Sequence, residues 1–80
     1  MKNNDLPQWP ALLELIENEG QITLGYVRPI PCVAIASNDH GMLAALKRKR
    51  GESLISLMNR LDIAVAQSEE DGSCIDEING

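Results

Sequence analysis

Residues 51–67, GESLISLMNRLDIAVAQ, constrain this chain more than any other stretch. Leu54, Leu57, Met58, Leu61, Ala64 and Val65 recur at spacings of three and four, which draws one apolar stripe along an α-helix. Glu52, Ser56, Asn59, Arg60 and Asp62 fall mostly on the other side. Ser53 follows Gly51 and Glu52 and is expected to cap the helix, because its hydroxyl can accept from an amide of the first turn. A helix with one apolar stripe needs a surface to lie on, and the remaining residues must supply it.

They have little to supply it with. Eighty residues make one domain, 1–80, with an expected core at about 9–67 and an acidic tail at 68–80. A chain this short buries only about 60–65% of its unfolded surface. Trp9 and Tyr26 are its aromatic residues and there is no Phe, so the core must be built from aliphatic side chains. Small aliphatic cores without disulfides or metals are commonly completed by association. A homodimer or a protein partner is therefore expected.

The charge balance restricts the choice of partner. Seven basic and twelve acidic residues leave a formal charge of −5. Net acidity disfavours nucleic acid and anionic membranes, which are held by Lys and Arg. Cys32 and Cys74 are far apart and form no C-x-x-C pair, so they read as free thiols in a reducing cytoplasm. The opening MKNNDLPQW has no apolar core of a signal peptide, and no apolar run is long enough for a membrane span. The expected compartment is the cytoplasm, with no membrane attachment and no cofactor.

In chain order, 1–5 is polar and expected to fray. Pro10 suits the first turn of a helix, where its missing N–H is not needed. The helix then runs from 11 to 19, with Trp9, Leu12, Leu13 and Ile16 on one face and Glu14, Glu17 and Glu19 mainly off it. Leu15 falls off that stripe and is expected at the surface or in a contact. Asn18 and Gly20 are terminators. Residues 21–27 are rich in strand formers, 28–31 (RPIP) read as a turn, and 32–37 as a second strand. Residues 37–41 (SNDHG) are a strong turn signal. Residues 42–49 suit either structure. A strand is preferred, because Gly51 begins a fresh helix and the turn needs a returning strand; the alternative is a mostly helical chain after a two-stranded hairpin.

The expected fold is thus α+β: an N-terminal helix, a three-stranded antiparallel meander and a C-terminal amphipathic helix. By alternation, Val33 and Ile35 face one side of the sheet, and Cys32, Ala34 and Ala36 the other. Leu43 and Ala45 likewise oppose Met42, Ala44 and Leu46. Both faces are apolar, and such a sheet is normally covered twice. Two short helices cover one face well, which is a second reason to expect self-association. The acidic tail carries Ile75 and Ile78 and is expected to be flexible, to dock on a neighbour, or to add to a sheet edge as a strand.

Chemistry-bearing residues are few. His40 is the single histidine and lies in a turn beside Asp39, with no nucleophile or orienting group near it in sequence. Cys32, Cys74 and His40 lack the close pairing of structural zinc ligands. Glu14, Glu52 and Asp62 read as surface charges. No catalytic constellation is visible, and an enzyme is not expected. The candidate interaction residues are the basic run Lys47, Arg48, Lys49 and Arg50, the off-stripe helix residues Ile55 and Ile63, and Ile75 and Ile78 of the tail. As a strand end, the basic run would send Lys47 and Lys49 to one side and Arg48 and Arg50 to the other. It would deter edge pairing, match the acidic tail, or contact phosphate.

Strands followed by Gly51-Glu52-Ser53-Leu54 and a short amphipathic helix resemble the core of HicB-type antitoxin domains, where a strand meander precedes a G-x-[ST]-L helix start. The resemblance covers residues 51–64. The glycine- and aromatic-rich strand motifs of that family are missing here, as is an appended DNA-binding segment. What the resemblance implies is a fold type, and with it an alternative function: an antitoxin-like regulator that binds a basic protein or nucleic acid. The leading expectation is a small non-enzymatic interaction module that self-associates.

Overall fold

The computed structural model describes residues 8–78. The polar 1–5 segment, expected to fray, lies outside them. The order is α1 (Pro10–Glu17), β1 (Gln21–Val27), β2 (Ile30–Asn38), β3 (Gly41–Lys47), α2 (Leu54–Asp71) and β4 (Ile75–Asp76). The strands form one sheet in the order β1-β2-β3-β4. The first three are an antiparallel meander, and β4 joins β3 in parallel. The class is α+β, and the segment after the SNDHG turn is a strand, so the mostly helical alternative does not hold.

The second helix begins where its sequence directs. Ser53 is extended, and its Oγ accepts from the Ser56 N–H at 3.0 Å. Leu57, Leu61, Ala64 and Val65 are buried and Met58 is half-buried, while Leu54 in the first turn stays exposed. The helix does not stop at 67. It runs through the acidic residues to Asp71, with Ser68 buried on its inner side. Acidic side chains on the solvent face do not end a helix; Gly72 does. It adopts the left-handed conformation (φ 75°), and its N–H donates to the Ser68 carbonyl at 2.8 Å.

That helix lies on β2 and β3. Ala34, Ala36, Ala44 and Leu46 meet Leu57, Leu61, Ala64 and Val65 in one buried cluster, where three alanines let the helix approach the sheet closely. Beside it, α1 contributes Leu12 and Leu15. Here the expectation fails: Leu15 is buried (3% exposed), while Leu13 (61%) and Ile16 (50%) face outward. The first helix has only eight residues and is apolar on several sides. Its periodicity fits more than one rotation, and contacts with α2 choose between them. The Trp9 indole N–H donates to Asn59 Oδ1 at 2.6 Å, and the Leu12 N–H donates to Asp62 Oδ1 at 3.0 Å. Asp62 is therefore a helix-to-helix tie and not a plain surface charge.

Two irregularities modify the alternation of the strands. Ala36 pairs with Ala44 but Ser37 with Met42, which leaves Leu43 as an extra residue. Leu43 turns to the buried cluster instead of sharing a face with Ala45. A second register shift lies between Gly25 and Val27. The turn between β1 and β2 is only Arg28-Pro29, with a cis peptide between them; Ile30 and Pro31 already belong to β2. Pro31 sits at the strand's start, one of the few positions in a sheet open to proline. On the face away from the helix-packed cluster, Val33 and Ala45 are buried and Ile35 is half-buried.

Candidate interaction surface

Arg60, on the outer side of α2, donates four side-chain hydrogen bonds. Its Nε donates to Glu52 Oε2 at 2.7 Å and its Nη2 to Glu52 Oε1 at 2.9 Å, a two-pronged grip. Nη1 donates to Glu77 Oε2 at 3.0 Å, and Nη2 also reaches the Lys47 carbonyl at 2.9 Å. Glu52 in turn accepts from the Lys49 N–H at 2.8 Å and from the Ser56 hydroxyl at 3.2 Å. Glu77 accepts from the Lys47 N–H at 3.0 Å, and its own N–H donates to the Ala45 carbonyl at 2.7 Å. The Glu52 side chain is only 7% exposed, which corrects its reading as a surface charge. Hydrogen bonds from Arg60 first, then from the Lys49 backbone, hold its pKa down at about 2. Arg60 is raised by the same partnership.

This junction explains the acidic tail. It is docked, as a short edge strand, and Ile75 packs half-buried against the core. Ile78 is half-buried, with its N–H donating to Asp76 Oδ1 at 2.9 Å. The tail's acid Glu77 meets Arg60 and the Lys47 backbone rather than the side chains of the basic run. A helical spacing was the available clue: Glu52, Ser56 and Arg60 recur every four residues along one side of α2 and its lead-in. Glu77 had no such clue.

Of the basic run only Lys47 is a strand end, because β3 stops there. Arg48 and Lys49 form a loop, and Arg50-Gly51 is a turn, so no alternation splits the charges. All four side chains are exposed. Arg48 Nε is anchored on the Glu52 carbonyl at 2.7 Å. Among the described residues, none of the four joins an ion pair.

Ile55 and Ile63 are exposed, as their off-stripe positions require. The structure brings Ile63 and Ile75 together, with Leu46, Ala64 and Gln67, around a shallow hollow of about 200 Å³. Ile55 is not part of it. The larger feature is elsewhere. Trp9, Leu12, Leu13, Ile16, Ile22 and Met58 line an open apolar groove of about 550 Å³ between α1, β1 and α2. Beyond it along β1, Leu24, Tyr26 and Val27 are exposed. None of these residues was singled out as an interaction residue from sequence. The signal was present in β1, which carries Ile22, Leu24, Tyr26 and Val27 and is uncharged and free of proline along its whole length.

His40 lies in the exposed turn after β2; its N–H donates to Asn38 Oδ1 at 2.8 Å, and its Nε2 is 3.7 Å from Asp39. Cys32 is half-buried in β2 and Cys74 is exposed between α2 and β4; both are free thiols. No three His, Cys, Asp or Glu among the described residues are grouped as a metal site. No helix among them is long and apolar enough to cross a membrane. Comparison of the chain with protein-family models, with curated proteins and with solved structures gave no match.

Proposed function

We propose that this protein is a small, non-enzymatic protein-interaction module of the cytoplasm that acts as a homodimer. The observation that carries this reading is α1. Leu12 and Leu15 fill the core, yet Leu13 and Ile16 present a second apolar face that no described residue covers. A helix apolar on both sides belongs in an interior, and the described residues supply half of that interior. The groove beside it extends the same apolar surface to Ile22 and Met58. Size-exclusion chromatography with light scattering tests the reading. A dimer at tens of micromolar is expected, with weaker self-association in Leu13→Glu. A wild-type monomer throughout that range refutes it.

A second reading is favoured by one feature, the exposed corner of Lys47, Arg48, Lys49 and Arg50, a dense positive charge whose side chains join no ion pair among the described residues, on a net acidic molecule. An antitoxin-like regulator would use it on nucleic acid, or use the acidic surface on a basic protein partner. Charge reversal of all four residues separates the two versions. Nucleic-acid binding that survives it removes the first.

A further inference from the structure

Among the described residues the first strand is an edge of the sheet, with β2 as its one neighbour. Over seven residues, QITLGYV, it carries no charge and no proline. Unpaired N–H and C=O groups on an edge are a template for another strand, and proteins ordinarily guard them with charge, proline or short length. The opposite edge is guarded in this way: β4 is two residues long and is followed by Glu77. The open edge of β1 has none of these three, and its one irregularity is the register shift between Gly25 and Val27. We propose that β1 pairs antiparallel with β1 of a second copy, about a two-fold axis at Leu24, so that two four-stranded sheets become one. This rests on the self-association reading above and specifies its seam.

The choice of a second copy comes from symmetry and charge. An antiparallel pairing maps a strand onto itself, so one edge supplies both halves of the interface. With the axis at Leu24, that residue meets its own copy, Ile22 lies across from Tyr26, and Thr23 lies across from Gly25. β-Branched and aromatic residues make favourable cross-strand pairs. The flanking charges then match. Glu19 precedes the strand and Arg28 follows it; both are exposed, and among the described residues neither joins an ion pair. Antiparallel pairing sets Arg28 of each copy beside Glu19 of the other, twice over. A parallel pairing would set like charges together.

The helices fit the same arrangement. A two-fold axis perpendicular to the sheet keeps both copies of α1 on one face, flanking the seam. The groove reaches the edge strand at Ile22, so the second copy's α1 closes it with Leu13 and Ile16. The seam is about 23 Å long.

Cysteine crosslinking in the full chain tests this directly. In a Cys32→Ala, Cys74→Ser background, Leu24→Cys is expected to form a disulfide-linked dimer on mild oxidation, since paired Cα atoms lie about 4.5–5.5 Å apart. Ile63→Cys, more exposed than Leu24 but on α2, is the control and is expected to stay largely unlinked. Should Leu24→Cys fold poorly by circular dichroism, mixed Gln21→Cys and Val27→Cys proteins probe the same register and are expected to crosslink to each other. Arg28→Glu is expected to weaken self-association about tenfold, and adding Glu19→Lys to restore it. Crosslinking no better than the Ile63→Cys control, or affinity indifferent to Arg28→Glu, overturns the seam. If the wild type still scatters as a dimer, self-association stands and only the seam falls; a monomer removes both.

Discussion

Arg60 joins three parts of the chain that are distant in sequence: the lead-in to α2 at Glu52, the end of β3 at Lys47, and the tail at Glu77. Arg60→Ala should lower stability by about 1–2 kcal/mol, the low range for charged hydrogen bonds, because the guanidinium is partly screened by solvent. It should also release β4, read as faster amide exchange at Glu77, whose N–H is now bonded to Ala45. Glu52 adds a pH dependence of defined sign. Its folded pKa of about 2 lies below its ordinary value of 4.5. A depressed carboxylate contributes its full stability above the unfolded pKa and loses it as pH falls from 4.5 towards 2. Asp71, held low by the Ser73 hydroxyl and then by the Ser73 N–H, acts in the same direction. Urea unfolding at a series of pH values should therefore show stability falling through this window, and Glu52→Gln should flatten part of the fall.

At the scale of elements, the joints are made by small residues. Gly20 links α1 to β1, and a Cβ there would run into the Leu15 side chain and its carbonyl. Gly20→Ala should cost about 1–3 kcal/mol through overpacking, measured as a lower urea midpoint. Ser53→Ala should cost about 1 kcal/mol by removing the α2 cap. Elements of this kind were legible in the sequence. The cap, the α2 stripe, the first two strands and the turn at 37–41 are each written in local residue order, and the structure contains them; residues 42–49 suited either structure locally, and the need for a returning strand selected the third strand. The rotation of α1 was not legible, because Leu12, Leu13, Leu15 and Ile16 offer several apolar faces and only Asn59 and Asp62 on another helix select one. Nor was the bulge at Leu43, which depends on how β2 and β3 register. The helix end was misplaced because the change in composition at 68 precedes the stop signal at Gly72. Of the eight candidate contact residues, Ile55, Ile63 and the basic run are exposed as expected, while Ile75 is partly spent on the core. The open edge of β1 was readable but needed the strand order to have meaning.

For the whole molecule, both helices and the docked tail secure one face and one edge of the sheet. Among the described residues the other edge remains open, with apolar residues of α1 and β1 beside it. Under the proposed function the stabilising contacts and the recruiting surface lie apart, so variants on the open edge should change association while leaving the fold intact. Amide hydrogen exchange of β1 at rising protein concentration measures that separation most directly. The open-edge amides of β1 should gain protection as the dimer forms, while α2 amides stay equally protected throughout. Uniform fast exchange along the free side of β1 at concentrations where light scattering reports a dimer would contradict the central claim.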